Sequence, residues 1–210
     1  MFTSVILGAG KSTRMKANKS KLLFNIAGKP VINHILSSLK AAKAKHNICV
    51  INNSSAELKK ILQAEKISFA YQKILDGTAG AVKAALKSKK NSNSKILILC
   101  GDVPFITSNS IKKLVAKLKN HDAVVGTVEL ESPKGYGRIV RVSNKFSSIV
   151  EEKETTPEQR QIREVNTGII AIQENILRKY ISLIKNNNQK KEYYLTDIIK
   201  ILIDHDKKVT

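Results

Sequence analysis

Tryptophan is absent from this 210-residue chain, aromatic residues make up only 5% of it, and there are just two cysteines. Two cysteines exclude a disulfide framework. Cys49 and Cys100 each sit inside an apolar, strand-like run, ICVI and ILILC, where a buried thiol is expected. Four scattered histidines leave no zinc spacing. Acidic residues are also few, 17 against 37 Lys and Arg, for a formal charge of +20. Such a balance invites nucleic acid, because basic faces release counterions from phosphates. Only six of those basic residues are arginine, however, and the lysines are spread over the chain with no stripe of interleaved aromatics. No specific nucleic-acid partner is therefore expected, while a positive field would draw in small phosphorylated substrates. No apolar run approaches the length of a membrane helix, and no basic segment followed by a long apolar stretch opens the chain. These two absences predict no membrane partner and a cytoplasmic location.

A complete phosphate loop is missing as well. Gly10, Lys11 and Ser12 form the end of G-x-x-x-x-G-K-[ST], but the first glycine of that pattern falls on Val5. The residues before it, FTSVIL, read as a buried strand.

What is present is an alternation of short apolar runs with amphipathic segments, the pattern of an α/β protein with a Rossmann-like, mostly parallel sheet flanked by helices. Strands are predicted at TSVIL, NICVIN, ISFAY, KILILC and DAVVGTVEL. Helices are predicted at PVINHILSSLKAAK, SAELKKILQAEK, TAGAVKAALKS and SNSIKKLVAKLK, with Pro30 in the first helical position. Beyond Leu130 the rhythm changes to a small β excursion. RIVRV and FSSIVEE form a hairpin about Ser143 and Asn144, and ETTPEQRQIRE is a polar loop. VNTGIIAI returns as an apolar strand, helices follow at ENILRKYISLI and YLTDIIKILIDH, and KKVT resembles the start of another strand. The whole chain, 1–210, reads as one domain.

Ligands of open α/β sheets bind beyond the carboxyl ends of the strands. GAGKSTRM follows the first strand with Lys21 close behind; its small residues let backbone N–H groups approach an anion, and Lys11, Arg14 and Lys21 supply charge. QKILDGTAG follows the third strand and CGDVP the fourth. Asp102 there is either a turn or capping residue or a magnesium ligand facing bound phosphates.

In order, LGAGKSTRM, SKLLFNIAGKPV, DGTAGAV, CGDVP, GYGRIVR, IVEEKE, EVNTGI and EYYLTDII resemble the bacterial N-acetylglucosamine-1-phosphate uridylyltransferases, in the pyrophosphorylase domain of that bifunctional family. The first motif is common to sugar nucleotidyl- and cytidylyltransferases; GYGRI, VNTGI and EYYLTD are more specific. The resemblance implies the nucleotide-diphospho-sugar transferase fold, Mg2+ as cofactor, and UTP and N-acetylglucosamine 1-phosphate as substrates. It implies that Arg14 and Lys21 bind the triphosphate and stabilise departing pyrophosphate. Leu7, Gly8, Ala9, Gly10, Gln72, Gly77 and Thr78 would hold the nucleotide, with Gln72, Gly77 and Thr78 at the uracil edge. Asp102 would ligate magnesium, and Gly137, Glu151, Asn166 and Thr196 would contact the sugar. Read without the family, Glu151 is a strand-end charge and Asn166 a turn former. A related sugar-phosphate nucleotidyl- or cytidylyltransferase, or a non-catalytic nucleotide-sugar binder, are the alternatives.

The chain departs from the family at several positions. Gly8 and Ser12 stand where alanine and glycine are usual, Asp76 replaces an apolar residue, and Gly80 replaces histidine. A carboxylate at position 76 is unwelcome beside a triphosphate unless it points away. The family's second magnesium-ligating asparagine and its acetyltransferase β-helix have no counterpart in these 210 residues, so no acetyltransferase activity is expected, trimerisation is unsupported, and no oligomeric state is defined.

Overall fold

The computed structural model describes residues 1–10, 20–52 and 56–210. The chain begins with β1 (Phe2–Leu7), whose apolar β-branched residues place it in the middle of the sheet. A two-residue hairpin follows, β2 (Asn25–Ile26) and β3 (Lys29–Pro30), turned by Ala27 and Gly28, both at positive φ. Pro30 is the N-cap of α1 (Val31–Ala41) and not its first helical residue, because its N-terminal neighbours are held in that hairpin. The chain continues through β4 (His46–Ile51), α2 (Ala56–Ala64), β5 (Ser68–Tyr71), α3 (Thr78–Lys87), β6 (Lys95–Cys100), α4 (Ser108–Lys117) and β7 (Ala123–Glu129). Strands β5, β4, β1 and β6 are adjacent and parallel, as the alternation predicts.

The β excursion comprises β8 (Arg138–Val142) and β9 (Lys145–Val150), joined by Ser143 and Asn144 with φ of 48° and 63°. That is the two-residue turn a hairpin favours. The predicted polar loop after it contains a one-turn helix, α5 (Pro157–Arg160). Thr156 caps it reciprocally with Gln159, and Pro157 opens it, so the TPEQ run is a helix start that polarity alone obscures. The long strand β10 (Glu164–Gln173) then re-enters the sheet antiparallel to β6. Its other edge carries β7, and its first half also meets β8. Register against β7 slips between Asn166 and Ile170, with Gly168 at φ 75° inside the bulge.

The last elements are α6 (Glu174–Tyr180), which tightens into a 3-10 turn over Ile181–Leu183 instead of continuing as one helix, and α7 (Asp197–Asp204). The strand expected at KKVT lies beside β7: Val209 pairs in parallel with Ala123, and Val125 donates to Thr210 O at 2.8 Å. Two apolar layers cover the sheet. One packs α3, α6 and α7 against Val5, Val50, Ile96 and Ile98; the other packs α1, α2 and α4 against Ile6, Cys49, Leu97 and Leu99. Alternating strand residues therefore feed opposite layers, and both faces are buried.

At the end of the sheet away from β6's carboxyl terminus, Glu174 is fully buried. It accepts hydrogen bonds from Lys89, Arg178, Ser92 and Ser94, which tie α3, the approach to β6 and α6 together.

Candidate functional site

The parallel strands β1 and β6 end side by side, with Gly101 N donating to Leu7 O at 3.0 Å and Gly8 N donating to Val50 O at 2.9 Å. Beyond these ends lies a cavity of about 450 Å³. Leu7, Ala9 and Gly10 form one wall, Gln72, Gly77 and Thr78 another, and Lys21 reaches in from the short 3-10 turn after the first loop. Seven residues expected to meet the nucleotide therefore line one space. Gly8 lies beneath it: a Cβ at that position would come within 2.6 Å of Leu22 Cδ1, so Leu22 fills the room that the family's alanine would need. Lys11, Ser12 and Arg14 fall outside the described residues.

The base-loop wall is held by the EYYLTD segment. Tyr193 N donates to Asp76 O at 2.7 Å, Ala79 N to Tyr193 O at 2.9 Å, and Leu195 N to Thr78 Oγ1 at 2.8 Å. Gly77 is a glycine for two reasons: its φ is 115°, and a Cβ there would sit 2.5 Å from Tyr193 O. Gln72 is buried, and its Nε2 lies 3.0 Å from both Asp76 Oδ1 and Gly77 O. The Asp76 carboxylate thus turns back onto Gln72.

Asp102 follows β6 and pairs with Lys21, Nζ to Oδ2 at 2.5 Å. Among the described residues no group of three or more His, Cys, Asp or Glu gathers as a ready-made metal cage. A hard, exposed carboxylate paired with a lysine that lines the cavity suits magnesium, which commonly takes one or two carboxylates and completes its shell with substrate phosphates and water. Cys100 also lines the cavity and is only partly buried, unlike Cys49. Its thiol is pushed up to about 11, first by burial and then by Asp102, which keeps it protonated and unsuited to nucleophilic attack.

The four residues assigned to the sugar form two bonded pairs, one of them at the start of the β10 bulge. Asn166 N donates to Gly137 O at 2.8 Å, and Thr196 Oγ1 donates to Glu151 Oε1 at 2.9 Å. None of the four lines the nucleotide cavity, but the bulge abuts it, since a Cβ on Gly168 would lie 2.9 Å from Cys100 Sγ. Asn166 also has the turn role: its Oδ1 accepts from Gly168 N at 3.0 Å. Arg138, from the GYGR motif, is 1% exposed; it pairs with Glu152 at 2.7 Å and donates to Tyr136 O, anchoring the excursion to the VEEK segment. Sequence reasoning assigned nothing to Arg138, nor to Leu75, Ala81 and Glu192 in the cavity wall. Ala81 is one helical turn beyond Gly77, a spacing that could have flagged it.

A cavity at the carboxyl ends of parallel strands, walled by the glycine-rich first loop and by Gln72, Gly77 and Thr78, lies where open α/β sheets bind nucleotides. Residues 4–164 match the model of the MobA-like NTP transferase domain, and the chain belongs to that family. It is similar to the bifunctional protein GlmU of Francisella tularensis subsp. novicida (strain U112), with 43% identity over 198 residues, which cover 93% of this chain and 43% of that protein. The same figures hold for the protein of F. tularensis subsp. mediasiatica (strain FSC147). The chain spans less than half the length of these curated relatives. Its fold is shared with a putative glucose-1-phosphate thymidylyltransferase from Bacillus anthracis, solved in complex with a sucrose. The TM-score is 0.79 and the identity 18%, over 100% of this chain and 86% of that one. A UDP-glucose pyrophosphorylase complexed with UDP-glucose gives a TM-score of 0.75 at 17% identity, over 99% and 88%. Among the described residues no helix is long and apolar enough to cross a membrane.

Proposed function

We propose that this domain transfers UMP from UTP to N-acetylglucosamine 1-phosphate, giving UDP-N-acetylglucosamine and pyrophosphate with magnesium, in the cytoplasm and for cell-envelope precursors such as peptidoglycan and lipopolysaccharide. The observation that carries this reading is the convergence of Leu7, Ala9, Gly10, Lys21, Gln72, Gly77 and Thr78 on one cavity, in a chain 43% identical to GlmU over 93% of its length.

The phosphate oxygen of the sugar attacks the α-phosphorus of UTP in line, and the bond to pyrophosphate breaks. No covalent enzyme intermediate forms, so positioning and charge stabilisation supply the rate. The chemistry therefore asks for cations and backbone donors and not for an activated thiol, in keeping with a protonated Cys100. Leu7 to Gly10 and Gln72, Gly77 and Thr78 seat the nucleotide. Lys21, with Arg14, neutralises charge on the departing pyrophosphate. Asp102 would hold a magnesium ion, whose chemistry there would be to offset negative charge on the phosphates. Gly137, Glu151, Asn166 and Thr196 receive the sugar next to the bulge. UTP labelled at the α-phosphorus tests this directly: label should pass into the sugar nucleotide and leave pyrophosphate unlabelled. Label in pyrophosphate, or none in a sugar nucleotide, would refute it.

A further inference from the structure

The Asp76 carboxylate and the missing side chain of Gly80 fit each other. In α3, a Cβ on Gly80 would lie 2.6 Å from Asp76 Cγ and closer still to Oδ1. Glycine inside a helix is unfavourable relative to alanine. Gly80 is therefore best explained by the space it leaves, and Asp76 fills that space. Asp76 is held at backbone and side chain: its carbonyl oxygen accepts from Tyr193 N at 2.7 Å, and its carboxylate Oδ1 accepts from Gln72 Nε2 at 3.0 Å.

The consequence falls on Gln72. Its amide nitrogen faces two acceptors, Asp76 Oδ1 and Gly77 O, so both N–H groups are committed. An unanchored glutamine can rotate its amide and present either end; this one is held with its nitrogen inward. Gln72 lines the cavity, and among the described residues its side-chain hydrogen bonds both run through Nε2, leaving Oε1 to a ligand. The side chain thus offers a ligand a fixed acceptor. Uracil and thymine carry a donor, N3–H, on the edge where cytosine carries an unprotonated acceptor.

We infer that Asp76 is a positioning residue for base specificity: it locks the Gln72 amide with its carbonyl toward the base, and Gly80 is the vacancy that allows it. This rests on the reading of Gln72 as a base-contacting residue. It also resolves why a carboxylate is tolerated beside a triphosphate site, since this one is turned onto an amide and occupied.

The test is the ratio of UTP to CTP dissociation constants, measured by calorimetry with magnesium on the 210-residue chain and its variants, with melting temperatures recorded in parallel. Asp76→Ala should lower the preference for UTP by about tenfold, the factor expected when one buried polar contact is lost. Asp76→Asn keeps an oxygen that can face the Gln72 nitrogen and should retain most of the preference. Gly80→Ala should lower it on the native background, by displacing the carboxylate. On the Asp76→Ala background it should leave the ratio unchanged and raise the melting temperature, because only the helix effect remains. An unchanged ratio in Asp76→Ala, with the ratio collapsed in Gln72→Leu, would show that Gln72 reads the base without Asp76 and would overturn the inference alone. An unchanged ratio in Gln72→Leu would overturn the base-contact reading and the inference with it. Gly80→Ala, which leaves Asp76 in the chain, carries the test if Asp76→Ala fails to fold.

Discussion

Lys21, which lines the cavity, meets Asp102, 81 positions away in the chain, at 2.5 Å. In the proposed reaction one serves phosphate and the other magnesium, so the contact would couple the two: phosphates would compete for the lysine and a metal ion for the carboxylate. Both side chains are partly exposed, so their mutual attraction adds little to stability, at most about 1 kcal/mol.

Lys21→Ala should accordingly leave the melting temperature nearly unchanged while lowering kcat by about a hundredfold or more, as expected when a cation facing a developing anion is removed. Steady-state kinetics at saturating magnesium read this out, and unaltered kcat would remove Lys21 from the transition-state contacts.

Asp102→Asn should raise the magnesium concentration needed for half-maximal activity by about tenfold or more, since a neutral amide is a far weaker ligand for a hard cation than a carboxylate. A magnesium titration at fixed UTP measures it. The same titration on wild-type and variant chains would coincide if Asp102 were only a turn residue.

Gly77→Ala places a Cβ against the Tyr193 backbone and forces a side chain into φ 115°. The expected cost is about 1–3 kcal/mol of stability, together with weaker UTP binding as the EYYLTD segment is pushed off the base loop. Thermal unfolding and UTP titration should move together; a stable variant with native UTP affinity contradicts the geometry.

Glu174 gives a prediction remote from the site. Although burial raises its pKa, the hydrogen bonds from Lys89, Arg178 and Ser94 win and hold it at about 2, against an ordinary value of 4.5. Because the folded value lies below the unfolded one, the stabilisation is fully present above about pH 4.5 and is lost as pH falls toward 2. The difference amounts to about 3 kcal/mol. Glu174→Gln should flatten the acid limb of a plot of melting temperature against pH, and should lower stability at pH 7 by leaving Lys89 and Arg178 uncompensated.

Asp197 has the opposite sign. Burial, then Glu151 and Glu154, raise its carboxyl to about 6 from 3.8. Its protonated form is favoured in the fold, so stability declines as pH rises through the interval from about 4 to 6. Asp197→Asn should raise the melting temperature above pH 6 and change it little at pH 4, which thermal scans at the two values check.

Much of this was legible in the sequence where periodicity and turn chemistry speak alone. Alternating strand and helix patterns gave the parallel sheet, and Ser143 and Asn144 gave the hairpin because a two-residue turn needs two small or polar residues at positive φ. What escaped depends on partners distant in the chain. Arg138 looks like a surface arginine until Glu152 and Tyr136 O are seen around it. VNTGIIAI reads as a plain strand, yet its NTG portion bulges against Gly126, with Thr167 Oγ1 donating to Gly126 O at 2.6 Å. Asp76 looked hostile to a triphosphate because its direction, onto Gln72 and over Gly80, is a tertiary fact.

The most direct measurement of the central claim is pyrophosphate release by this chain with magnesium, comparing UTP plus N-acetylglucosamine 1-phosphate with CTP or glucose 1-phosphate in place of either substrate. The account predicts turnover with the first pair that exceeds each alternative by at least about tenfold. Equal rates across pairs, or no release from a folded chain that binds UTP, would contradict it.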